Sequence, residues 1–340
     1  MLFDYVSLAG GLVALIIAGD VLVRGSVGVA QRLGIPNLII GLTIVAFGTS
    51  APELVISLKA ALEGADGIAL GNVVGSNIAN VLLVLGMPAL IAATPCGEEG
   101  AVRNAIFMVA VSAVFVILCF FSPLTILSGA ILLVLLALFL GDSALSTFRH
   151  RKTLKDAASG SPATKDAEAE EEADEAEDEL EDVEGVPESV GLAGVYIVLG
   201  LIGLPLGAHF TINGATAIAQ AWGVSDAVIA LTVIALGTSL PELATTVMAA
   251  IRQHGAVAIG NVIGSNIFNL LAIIGITTVA VPLDVPAEIM RLDIWVMLAC
   301  AVLLLGLAIY RVNLNRLAGL ALTLAYIAYI FVVYTFGVVT

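Results

Sequence analysis

The sequence is poor in charge, in aromatic rings and in cysteine. Charged residues make up 12% of its 340 positions and aromatics 6%, against 60% apolar residues. With a mean hydropathy of +1.08 that balance excludes a soluble globular domain and leaves a polytopic membrane protein. Three cysteines, Cys96, Cys119 and Cys300, form neither an even set nor a metal-type spacing, which excludes a disulfide framework and a zinc site. The start, Met1-Leu2-Phe3-Asp4, lacks the positive flank of a cleavable signal, so the first apolar run is expected to remain as a span. Bases are also scarce, 13 against 28 acids. The acid excess is local: residues 156–188 hold 15 of the acids and one base, Lys165, leaving 13 acids against 12 bases elsewhere. No nucleic-acid partner is expected.

What is present is long apolar runs. A span needs about 20 mainly apolar residues to cross roughly 30 Å of hydrocarbon. Ten stretches qualify, about 5–30, 36–62, 67–92, 102–120, 123–141, 191–219, 224–251, 256–281, 290–310 and 314–337. Five precede the acidic segment and five follow it. The expected fold is therefore an all-α polytopic membrane protein, with ten transmembrane helices as two inverted five-helix repeats, 1–142 and 191–340. Between them, 143–190 reads as an acidic, disordered cytoplasmic loop that cannot bury a core. An odd number of spans per half inverts the second half, as in secondary transporters whose ion site lies near the bilayer midplane. With the termini outside, eleven bases fall on the inner side and only Lys59 and Arg291 on the outer, which satisfies the positive-inside rule. A prokaryotic cytoplasmic (inner) membrane is expected, with the lipid bilayer as the surrounding partner and no obligate protein partner evident.

A stretch of the chain occurs twice. Residues 41–82 carry Gly48-Thr49-Ser50-Ala51-Pro52-Glu53, then Gly71-Asn72 and Gly75-Ser76-Asn77, ending near Asn80. Residues 230–271 carry Gly237-Thr238-Ser239-Leu240-Pro241-Glu242, Gly260-Asn261 and Gly264-Ser265-Asn266, ending near Asn269. The offset is a constant 189, and 22 of 43 positions are identical over 40–82 against 229–271, so this is an internal duplication.

Carboxylates inside the hydrocarbon are costly, about 2.5–3.5 kcal/mol each on insertion scales. Glu53 and Glu242 occupy matching positions, and a pseudo-two-fold axis would bring them face to face. Two carboxylates in low dielectric repel unless a cation lies between them. A hard divalent ion such as calcium suits that place, since it takes about six to eight oxygens. Thr49 and Ser50 share a helix face with Glu53, as do Thr238 and Ser239 with Glu242. Pro52 and Pro241 lack an N–H, which is expected to free the carbonyls of Gly48 and Gly237. Asn72, Ser76 and Asn80 form a polar stripe, repeated by Asn261, Ser265 and Asn269, while Gly71/Gly75 and Gly260/Gly264 suit close helix approach. For Asn72, Asn261, Asn77 and Asn266, helix-packing glue is an equal alternative. Outside the repeats, Asp20 and Arg24 lie one turn apart with His209 and Asn213 at the matching positions. They read as an internal ion pair or as part of a cation pathway. Lys59 is expected to snorkel outward.

At these residues the chain resembles the cation/calcium antiporter superfamily, sodium/calcium exchanger branch, through the doubled G-T-S-x-P-E-L and G-N-x-x-G-S-N-I motifs. The resemblance implies exchange of sodium for calcium by alternating access, with no cofactor and with Ca2+ and Na+ as the transported ligands. By position it implies calcium carboxylates at Glu53 and Glu242, with backbone oxygen from Thr49 and Thr238. It implies a sodium-related group of Ala46, Ala235, Ser50, Ser239, Ser76 and Ser265, completed by Asn80 and Asn269. Some members carry Asp where this chain has Asn269, so the site here has two formal charges rather than three, which disfavours potassium co-transport. With three sodium ions per calcium, as the resemblance implies, a tenfold sodium gradient supplies about 4 kcal/mol. The one net charge adds about 2.3 kcal/mol per 100 mV. A proton-coupled or potassium-dependent calcium antiporter is the alternative. A channel fits the doubled helix breaks less well, and no catalytic set is present, so no enzyme activity is expected.

Overall fold

In lipid every backbone N–H and C=O must be satisfied within its own segment, so the apolar runs form helices. The computed structural model of the chain describes residues 2–158, 185–222 and 235–337. Its helices are α1 (Leu2–Leu33), α2 (Asn37–Thr49), α3 (Ala51–Leu62), α4 (Asp66–Ile91), α5 (Ala101–Cys119) and α6 (Ile126–Ala158). They continue as α7 (Val190–Ala221), α8 (Ala235–Thr238), α9 (Leu240–Ile251), α10 (Gly255–Ala280), α11 (Ile289–Ile309) and α12 (Arg316–Gly337). Among the described residues eight helices are long and apolar enough to cross a membrane, and α2 with α3 makes a ninth, bent by 44°. The remaining expected span, 224–251, is described only as α8 and α9, because 223–234 lie outside the described residues.

The expected loop boundary at 143 differs from the structure. Helix α6 runs on to Ala158, since no glycine or proline interrupts residues 143–158. Residues 159–184 lie outside the described residues. The chain rejoins at Gly185, and Ser189 caps α7 by accepting the Leu192 N–H at 3.1 Å.

The all-α expectation holds apart from small clamps between loops. Strand β1 (Thr94–Pro95) pairs antiparallel with β2 (Asn313–Leu314), and Leu124 bridges Leu283. Residues 94 and 313 lie 189 from 283 and 124, so the clamps tie matched segments.

Two buried clusters organise the helices. The larger gathers α4, α5, α10 and α11 around Met108, Phe115, Ile263 and Met297. The smaller joins α1 to α7, with Ile40 and Val45 of α2 and Val257 of α10. Helices α1 and α7 run antiparallel, and glycine permits their approach. A Cβ on Gly11 would lie 2.8 Å from the Gly207 carbonyl, and one on Gly200 would lie 2.5 Å from Leu22 Cβ. Close backbone packing of this kind replaces the hydrophobic drive that lipid removes. Outward faces carry Ile16, Leu199, Val302 and Phe331 exposed, an apolar girdle that the bilayer covers.

Candidate cation site

Each repeat breaks a helix at the same place. Helix α2 ends at Thr49, Ser50 leaves helical geometry at φ −84°, ψ 3°, and α3 restarts with Pro52 in its first turn. In the second copy Ser239 sits at φ −88°, ψ 5°, and Pro241 opens α9. Proline belongs there, because a first-turn N–H has no intrahelical partner to lose. The break places Glu53 and Glu242 in the first turns of α3 and α9, where the positive helix ends favour carboxylates. Both are 1% exposed.

The two copies interleave. Ser50 Oγ, from the first copy, donates to Glu242 Oε1 of the second at 3.1 Å. Glu53 lies within electrostatic reach of Glu242. Thr49 shares its hydroxyl proton between the Ala46 carbonyl at 3.3 Å and Asn261 Oδ1 at 3.4 Å. The Ala46 carbonyl also accepts the Ser50 N–H at 3.1 Å, so this expected sodium oxygen is engaged within its own helix. Ala235 contributes the first residue of α8, of which the backbone alone is described. Thr238 and Ser239 are buried at the second break, and Ser76 and Ser265 are buried on α4 and α10.

Asn80 and Asn269 each open a π-helical turn, Asn80–Val84 within α4 and Asn269–Ile273 within α10. Such turns are rare and concentrate at functional sites. The turn at Asn80 packs against α9, which bears Glu242, and the turn at Asn269 packs against α3, which bears Glu53. Asn80 Nδ2 donates to Asn266 Oδ1 at 3.1 Å. Several polar atoms here are buried without a protein partner: Glu53 Oε2, Glu242 Oε2, Ser239 Oγ, Asn80 Oδ1 and both amide atoms of Asn269. Buried polar groups are normally paired, so the oxygens left open among these, though not the Asn269 amide nitrogen, suit a cation. Two carboxylates with neutral oxygens fit a hard cation that must also leave. Among the described residues no group of three or more His, Cys, Asp or Glu could hold a metal.

A second ring of contacts escaped the sequence reading. Asn72 Nδ2 donates to the Glu53 carbonyl at 3.3 Å and to Ser57 Oγ at 2.9 Å. Asn261 Nδ2 donates to the Glu242 carbonyl at 3.4 Å and to Thr246 Oγ1 at 2.9 Å. Ser57 and Thr246 are themselves 189 apart, and a hydroxyl four residues after each glutamate was the signal that could have found them. The same offset links Met108 and Met297, whose sulfurs accept from Asn266 at 3.5 Å and Asn77 at 3.9 Å. Gly260 and Gly264 meet α2 as expected of close-packing glycines: a Cβ on Gly264 would lie 2.5 Å from the Leu42 carbonyl. The matching partners of Gly71 and Gly75, around 227–235, fall largely outside the described residues.

Asp20 and Arg24 do pair, at 2.7 Å, but Asp20 also binds Arg252 at the end of α9. Arg252 therefore joins α1 to the second repeat. Asn213 and His209 share a hydrogen bond at 2.9 Å. Lys59 is exposed, 3.9 Å from Glu63.

Comparison with known proteins matches these features. The family model described as sodium/calcium exchanger protein covers residues 3–142 and 192–335. CaxA of Alkalimonas amylolytica is 36% identical over 96% of this chain and 97% of its own. Sodium/calcium exchanger MaX1 of Methanosarcina acetivorans is 31% identical over 97% of this chain and 98% of its own. Among solved structures, the sodium-calcium exchanger NCX_Mj superposes with a TM-score of 0.77 at 28% identity, over 96% of this chain and 97% of that one.

Proposed function

The chain belongs to the sodium/calcium exchanger protein family, and from that premise we propose that it exports calcium in exchange for sodium influx by alternating access. Membership makes it a cation/calcium exchanger embedded in a membrane, a transporter rather than an enzyme, with its ions as substrates and no cofactor. The observation that carries the finer reading is the burial of Glu53 and Glu242 at matched helix breaks, within electrostatic reach of each other and each with a carboxylate oxygen left without a protein partner. Calcium takes the two carboxylates, with oxygen from Thr49 and Thr238. Sodium ions take the flanking oxygens of Ser50, Ser239, Ser76 and Ser265, with the carbonyls of Ala46 and Ala235 and the amides of Asn80 and Asn269. The halves sit inverted about this site, and α1 with α7 moves against the remaining helices. The termini lie outside a prokaryotic inner membrane and the acidic segment lies in the cytoplasm.

The test is calcium-45 uptake into proteoliposomes loaded with sodium, potassium or neither, at fixed pH, with Glu53→Gln and Glu242→Gln beside the parent. Each variant keeps the side-chain size and removes a charge, so calcium loses half of its formal counter-charge. Uptake should require internal sodium and disappear in both variants. Uptake indifferent to sodium and driven by a proton gradient would overturn the coupling ion.

A further inference from the structure

We infer that Asn72 and Asn261 are positioning residues of the cation site, each stapling the helix turn that presents one of the two glutamates. This role rests on the exchanger reading of the site. Each amide spends both of its N–H groups on one turn. Asn72 reaches the Glu53 carbonyl and Ser57 Oγ, and Asn261 reaches the Glu242 carbonyl and Thr246 Oγ1. Glutamate and hydroxyl are four residues apart, so the bonded atoms lie on one face of α3 and of α9. The first turn after a break has lost its preceding helical partners, and the amide fixes its rotation and hence where the carboxylate points.

Asn261 does more. Its Oδ1 accepts from Thr49 Oγ1 at 3.4 Å and stands 3.5 Å from Ser265 Oγ, so one side chain links α2, α9 and α10. Asparagine suits the task because it offers two donors and one acceptor without adding charge. Aspartate would repel the glutamates and compete for the cation. Ser57, Thr246 and Asn261 are fully buried, which makes an unmade bond there costly.

The experiment uses the full chain, with equilibrium calcium-45 binding to purified protein and sodium-driven uptake measured on the same preparations. The variants are Asn261→Ala, Ser57→Ala, Thr246→Val and Thr246→Ser. Outer supports of a metal site typically alter affinity by about ten- to a hundredfold. Asn261→Ala and Thr246→Val should each raise the half-saturating calcium at least about tenfold with a smaller change in maximal rate. Combining them should add little, because they remove the same staple. Thr246→Ser, which keeps the hydroxyl, should restore affinity. Should Asn261→Ala fail to fold, Ser57→Ala and Thr246→Val carry the test. A lower maximal rate with unchanged half-saturation in those variants would make the network merely structural and overturn the inference. Parent protein that binds calcium without sodium-driven uptake would instead overturn the exchanger reading.

Discussion

At the scale of single residues, the site is asymmetric although its sequence is doubled. Ser50 donates to Glu242, whereas the matching Ser239 hydroxyl is buried without a partner. A hydrogen bond to a charged group contributes about 1.5–3 kcal/mol. Ser50→Ala should therefore lower the thermal midpoint of the cation-free protein in detergent, and by more than Ser239→Ala does. Equal effects would mean that the bond between copies contributes nothing. The carboxylates and serines were legible because mid-span charge and a repeated motif stand out by count. Ser57 and Thr246 were not, since a hydroxyl on a membrane helix is common and becomes meaningful only when an asparagine from the next helix reaches it.

At the scale of elements, the tie between α1 and the end of α9 is the feature that bears on movement. Asp20 holds Arg24 and Arg252 together, with the three side chains 16%, 30% and 22% exposed. Removing the carboxylate leaves two cations side by side in a partly dry place. Asp20→Asn should lower stability by about 1–3 kcal/mol, read as a drop in the thermal midpoint in detergent. Adding Arg252→Gln should recover part of the loss, because removing both partners costs less than stranding one. No recovery would place the Asp20 effect elsewhere. The turn spacing of Asp20 and Arg24 was readable from sequence. Arg252, 232 positions away, was not.

For the whole molecule, the expected orientation has both termini outside, since that arrangement gathers eleven bases on the inner face. Single cysteines added at each end and probed with an impermeant thiol reagent on intact cells test it. The native background should be silent. Cys96, Cys119 and Cys300 are buried and unpaired, and burial together with Glu98 pushes the Cys96 thiol up to about 12, so it stays protonated at pH 8. Labelling of both ends from outside is the expected result. Labelling only after permeabilisation would invert the topology.

The sequence by itself determined the membrane class, the duplication with its fixed offset, the prolines that disturb a helix beside each carboxylate, and the two glutamates, while it left Ser50 and Ser239 inside continuous helices that the structure breaks there. Those features are local: hydropathy, identity between copies and the chemistry of proline are all countable along the chain. It also suggested a loop beginning at 143, where the structure continues α6 to Ala158 because nothing there stops a helix. Only the tertiary structure decided that Ser50 serves Glu242, that Asn80 and Asn269 open π turns against the opposite repeat's glutamate helix, and that Arg252 reaches α1. Periodicity fixes which face of a helix a residue occupies. Which other helix meets that face is set by packing among all of them, and no single stretch of chain encodes it.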